Sequence, residues 1–133
     1  MTITRSNPPG LHPTPGYHHV TVSTAARTAH LAGQCPLDAH GELVGPDDLD
    51  AQVDQVAANA LAALRSVDAG PEHVVRTVIY VASGDRSALA QVWRRFQASP
   101  IGPAFASAST LLGVAQLGFP GQLVELDVTA ALP

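Results

Sequence analysis

The chain has 133 residues, 46% apolar and 14% charged, a globular composition with room for one hydrophobic core and far from the disordered class. Its formal charge is -4, and all 7 of its basic side chains are arginine. Without lysine there is no Schiff base to protein, no pyridoxal phosphate anchor and no P-loop, and a net negative chain is a poor partner for nucleic acid.

No apolar run is long enough to cross a bilayer, and the polar, proline-rich N-terminus lacks the apolar stretch of a secretion signal. A soluble, cytoplasmic protein with no membrane association is therefore expected. Residues 1–16 read as a Pro-rich extended N-terminal segment, since Asn7–Gly16 holds four prolines and two glycines, which excludes a helix or a central strand. Residues 17–133 read as a single α+β domain.

Tyr17–Ser23 and Thr28–Cys35 are predicted strands joined by the polar turn Thr24–Arg27, and Gly41–Val44 is a shorter third, together a β-meander. Asp48 caps a long helix, because Leu49, Val53, Val56, Ala60, Leu64 and Val67 share one helical face, and Gly70-Pro71 stops it. Val74–Ala82 is rich in β-branched residues and reads as a buried strand. Coming after a strand and a long helix, it suggests a crossover with parallel pairing. A second helix is predicted over Arg86–Ala98, capped by Ser83 or Asp85, with Leu89, Val92, Trp93 and Phe96 buried and Arg94-Arg95 on a solvated face. After the turn Pro100–Pro103, strands Ser107–Ala115 and Gln122–Ala131 complete the order βββαβαββ, with both helices on one face of a mixed sheet.

Alternation along the last strand sends Val124, Leu126 and Val128 toward the helices and Leu123, Glu125 and Asp127 outward. Leu111, Leu112 and Val114 leave the preceding strand without charged alternation in either register. A sheet apolar on both faces is buried on both, so with two helices available the second face calls for another subunit. A cleft between subunits is then the natural place for a small ligand. The segment that would line it, Pro103–Asp127, contains no basic residue, so it holds a ligand without a local cation.

The order and spacing of Pro15-Gly16-Tyr17, A-G-Q-C-P from Ala32, G-E-L from Gly41, V-R-T-V-I-Y-V from Val75, Pro103-Ala104, S-T-L-L-G-V-A-Q-L from Ser109 and V-E-L-D-V from Val124 resemble the RidA/YjgF (Rid) family. The similarity covers nearly the whole chain from Pro15 onward. It implies a chorismate-mutase-like α+β fold, a homotrimer with clefts between subunits, and no cofactor. For active members it also implies hydrolysis of imines or enamines such as 2-iminopropanoate and 2-iminobutanoate to 2-keto acids and ammonia. Such a reaction needs a bidentate cation for the substrate carboxylate, an activated water and donors that orient the nitrogen.

Where deaminating members of the family carry a clamping Arg at the start of the penultimate strand, this chain has Ser109. Ala32, Ala90 and Leu111 likewise stand where the family often has a hydroxyl residue, a small polar residue and a Cys. Tyr17, the Gly33-Gln34 backbone and Glu125, which corresponds to the carboxylate that positions or activates water, are retained. The pattern resembles the Arg-lacking Rid subgroups.

The expectation is a trimer that binds a small metabolite through Tyr17, Gly33, Gln34, Ser109, Thr110 and Leu111 and hydrolyses an imine or enamine with Glu125 holding water. With the clamp gone and Glu125 and Asp127 nearby, the preferred substrate is neutral or cationic. The alternative is a trimer that binds a small molecule or regulates a partner without chemistry. Ribonuclease action, reported for some relatives, is disfavoured by the charge.

The same residues have plain structural readings: Glu125 as a paired strand residue, Tyr17 as an interface aromatic, and Ser109-Thr110 as cross-strand packing. His18 and His19 fall on opposite faces of a strand, so with His12 and His30 they do not make a metal site. Cys35 reads as a small packed hydrophobe and Arg76 as a structural ion-pair residue.

Overall fold

The computed structural model describes residues 1–133. The element order is βββαβαββ, as expected, but the opening strands differ from the predicted ones. Strands β1 (Thr2–Ser6) and β2 (Val20–Thr24) pair antiparallel as a separate two-stranded sheet. Their connection is tied by the Asn7 side chain, which accepts from the His19 backbone N–H at 2.8 Å. Strand β3 (Arg27–His30) leaves this ribbon and joins the main sheet, so there is no meander. The predicted strand Gly41–Val44 is reduced to a Leu37–Leu43 bridge. Here the Asp38 carboxylate accepts from the N–H groups of His40 (2.9 Å) and Glu42 (3.0 Å), and Gly41 takes a φ of 79°, which bends the chain into a turn.

Helix α1 (Leu49–Arg65) starts at Asp48, whose side chain accepts from the Ala51 N–H at 3.0 Å. It ends before Val67, which lies 38% exposed outside the predicted apolar face because Asp68 turns the chain at φ 56°. Strand β4 (Val74–Val81), helix α2 (Arg86–Gln97), strand β5 (Ala108–Gly113) and strand β6 (Val124–Leu132) follow. Asp85 caps α2 by accepting from the Ser87 N–H at 2.8 Å.

The main sheet has the order β3-β6-β4-β5. The crossover that pairs parallel neighbours is the one through α2, between β4 and β5. The one through α1 links β3 and β4, which run parallel but are held apart by β6, antiparallel to both. β6 takes the central place because Val124, Leu126, Val128 and Ala130 are all buried, the pattern of an interior strand.

Val53, Val56, Ala60 and Leu64 of α1 and Val92 and Phe96 of α2 pack with Ile79, Val81, Val124 and Leu126 of the sheet in one core. Each fully buried Val, Leu, Ile or Phe side chain among them contributes about 1.5–3 kcal/mol. Buried Gln52 ties α1 to the loop before β6, its amide donating to the Gly45 and Gly121 carbonyls at 3.0 and 3.1 Å and its carbonyl accepting from Leu123 N–H at 2.8 Å. The opposite face of the sheet, carrying Val78, Tyr80, Leu112, Glu125 and Asp127 in register, has no helix on it. Leu112 is 42% exposed there.

Candidate functional site

Because β5 is an edge strand, the groove between it and α2 opens sideways, and a cavity of about 860 Å³ lies there. Four of the predicted site residues, Tyr17, Ser109, Thr110 and Leu111, line it. Tyr17 lies ahead of β2 rather than inside a strand, and contacts on several sides hold it, among them the His19 ring with centroids 5.9 Å apart. Thr14 donates its hydroxyl to the Tyr17 carbonyl, the Tyr17 hydroxyl meets His12 Nε2 at 3.0 Å, and the ring stands edge-on to Trp93 with centroids 6.1 Å apart. Trp93 Nε1 and Gln97 Nε2 in turn donate to the Pro15 carbonyl at 3.2 and 3.1 Å, which pins the N-terminal segment to α2.

Ser109 pairs in register with Thr77 on the helix side of the sheet. It accepts from the Thr77 hydroxyl at 2.6 Å and donates to the Ser107 carbonyl at 3.0 Å. Its hydrogen is therefore committed to the backbone, and no imidazole or carboxylate bonds it as a base. Thr110, one residue on, is in register with Val78 and turns its hydroxyl to the other face, where Arg76 donates to it at 2.7 Å. Arg76 thus pairs with a hydroxyl rather than with the expected carboxylate.

The cavity's charge bears on two expectations. Its lining holds Arg86 and Arg94 of α2 and no carboxylate, so the site does have cations, supplied from another element. The adjacent arginines also divide their roles. Arg95 forms a two-point pair with Asp54 at 2.9 and 2.7 Å, which lowers the Asp54 carboxyl pKa, whereas Arg94 borders the cavity. The neutral or cationic preference rested on Glu125 and Asp127 sharing this site, and within one chain they do not.

Glu125 pairs in register with Tyr80 and Asp127 with Val78, on the face away from α2. Glu125 Oε1 accepts from the Cys35 thiol at 3.2 Å and from Gln122 Nε2 at 3.1 Å. The backbone of Gly33 runs so close that a Cβ there would collide with the Glu125 carboxylate. Gln34 exchanges backbone hydrogen bonds with Leu126 at 2.8 and 3.1 Å, which brings the Gly33-Gln34 turn against β6. Burial, then the Glu125 hydrogen bond and charge, push the Cys35 thiol up to about 11, so it remains a protonated donor at neutral pH. Tyr80 donates to Asp127 at 3.1 Å, and this bond raises its phenol pKa.

The predicted residues therefore form two groups on opposite faces of one sheet: Tyr17, Ser109 and Leu111 at the edge cavity, and Gly33, Gln34 and Glu125 beyond it, with Thr110 lining the cavity while its hydroxyl turns to the other face. Three neighbours went unrecognised in the sequence. Gln122, the partner of Glu125, had no motif to reveal it; Arg86 and Arg94, four residues either side of Ala90, had helical spacing as their only signal. Of the histidines only His12 and His19 meet, edge to face with centroids 4.6 Å apart, while His18 bonds the Ala106 carbonyl.

The family model described as Endoribonuclease L-PSP matches residues 10–132. The chain is 36% identical to the conserved Rid-family protein YyfB of Yersinia pestis, a protein of unknown function, with a TM-score of 0.87 over 99% of this chain and 100% of that one. YyfA of the same organism is 22% identical, with a TM-score of 0.69 over 98% of this chain and 100% of that one. A member of the YjgF/YER057c/UK114 family from Mycobacterium tuberculosis is 23% identical, with a TM-score of 0.64 over 98% and 100%. These last two similarities establish the shared fold alone. No protein of curated function matches the chain. No helix is long and apolar enough to cross a membrane.

Proposed function

Because the chain belongs to the Rid (RidA/YjgF) family, we propose that it is a homotrimer that binds a small metabolite in the cavity between α2 and β5 and hydrolyses a reactive imine or enamine there. The observation that supports this reading is the division of the retained residues between two faces of the sheet. Within one copy, Tyr17 and Ser109 cannot share a ligand with Glu125. In a ring of copies the uncovered face of one closes the edge cavity of the next, and both halves meet around one ligand. The uncovered face, with Leu112 exposed and no helix on it, is suited to that contact.

In the proposed reaction water adds to the carbon of the C=N bond, the nitrogen gains a proton, and the adduct collapses to a carbonyl group as ammonia leaves. Glu125 takes one proton from the attacking water and returns it to nitrogen, then carries the adduct's hydroxyl proton to nitrogen as the C–N bond breaks. Its Oε1 is fixed by Cys35 and Gln122, which leaves Oε2 for the water. Cys35, held as a thiol, orients the carboxylate rather than attacking substrate.

A second reading, a trimer that binds without chemistry, is favoured by Ser109, whose hydrogen is committed to Ser107, and by Ala90, which offers no donor. The family model's description names an endoribonuclease, but the charge of -4 argues against a phosphodiester substrate.

An amino-acid oxidase supplying 2-imino acids of different side chains, with imine decay followed with and without the protein, tests the proposal. Accelerated decay lost in Glu125→Ala is expected for at least one imine. If no imine decays faster, catalysis falls and the binding reading takes its place. Activity toward 2-iminobutanoate is expected to rise in Ser109→Arg, and Glu125→Ala turning over at the wild-type rate would remove that residue from the mechanism.

A further inference from the structure

Arg86, Ala90 and Arg94 stand four residues apart on α2 and share the side of the helix that borders the cavity. Neither guanidinium makes an ion pair or a side-chain hydrogen bond within the chain. The other arginines differ. Arg5 donates to the Val74 carbonyl, Arg27 to the Pro133 carbonyl, Arg76 to Thr110 and Arg95 to Asp54, while Arg65 sits in the last turn of α1, where a cation favours the helix dipole. Arg94 shares a last-turn position with Arg65, but of the arginines without a side-chain partner only Arg86 and Arg94 line the cavity.

Planar guanidinium groups recognise carboxylates through paired N–H bonds, and no carboxylate of the same chain lines the cavity to compete for them. Eight residues of helix separate the two positions by about 12 Å along the axis, too far for one carboxylate to bridge at their roots. Between them the methyl of Ala90 leaves space where a larger side chain would divide the groove. We infer that the cavity recognises a short dicarboxylate, with Arg86 and Arg94 each holding one end across Ala90.

This inference rests on the reading that the cavity binds a small metabolite, and it places the anion clamp on a helix rather than on β5. For the proposed reaction it specifies the substrate class: an imine with a second acidic group, hydrolysed to an oxo-dicarboxylate and ammonia with no change of oxidation state.

Calorimetric titration with 2-oxoglutarate and with 2-oxopentanoate tests it, because the two have the same chain length and differ by one terminal carboxylate. The wild-type protein is expected to bind 2-oxoglutarate about tenfold more tightly, the worth of one charge-assisted contact. Added salt reduces that preference. Arg86→Gln and Arg94→Gln each weaken 2-oxoglutarate, and the double variant binds both ligands alike, whereas Arg65→Gln behaves as wild type. Thermal melts of the variants confirm that they fold, since both positions are exposed. Equal affinities in the wild type, or a preference that survives in the double variant, overturn the clamp while leaving the cavity as a metabolite site. If neither ligand binds, the clamp is refuted, and the imine-decay assay decides the cavity's role separately.

Discussion

The two faces of the main sheet treat their polar groups in opposite ways. On the uncovered face every conspicuous group has a partner within the chain: Glu125 with Cys35 and Gln122, Asp127 with Tyr80, and Thr110 with Arg76. At the edge cavity Ser109 is satisfied, but Arg86 and Arg94 are not. The difference separates what is already organised from what awaits a ligand. A carboxylate held by two donors is preorganised for one task, whereas an unpaired guanidinium at a cavity has its task supplied from outside.

The comparison breaks most severely if α2 loses its seat. Phe96 is fully buried and stacks on Phe105 with centroids 5.1 Å apart, so Phe96→Ala should cost about 3–5 kcal/mol in urea unfolding and loosen the cavity wall. A loss within error would mean that the helix is positioned by other contacts. Next in size is Ala90→Trp, which fills the groove between the two arginines. Titratable ligand binding should disappear while the thermal midpoint holds, and retained binding would move the site elsewhere.

The uncovered face is sharpened by pH. Cys35 should alkylate slowly at neutral pH and speed up toward about 11, and Glu125→Gln should move that profile downward, though burial keeps it above the ordinary thiol value of 9.0. A profile unmoved by Glu125→Gln would mean that the thiol and carboxylate do not interact. The folded-state pKa is raised, so this group's contribution to stability is fully present below about 9 and is lost as pH climbs through about 11. The smallest effect belongs to Arg95, whose pair with Asp54 is exposed. Arg95→Ala should lower the thermal midpoint slightly at low salt and leave ligand binding unchanged, which distinguishes it from Arg94.

The helices and the buried strand between them were legible because each carries its own signal: the Asp48 and Asp85 caps, the helical spacing of buried residues, and the β-branched run of β4. The opening strands were less so. Thr2–Ser6 lies ahead of a proline-rich stretch and gains its strand character only by pairing with β2 across that stretch. At the site, Glu125 and Tyr17 stood out by resemblance, and their placement on different faces followed from alternation that was read for β6 but not carried into β5. The roles of Arg94 and Arg95 were invisible for a tertiary reason. They differ only in which one meets the carboxylates of α1, and that depends on how the two helices cross.

The central claim is that the edge cavity and the Glu125 face complete each other only between copies of the chain. Light scattering coupled to size-exclusion chromatography tests it most directly. The account predicts a single species with three times the mass of the chain, and a monomer at the same concentration would contradict it.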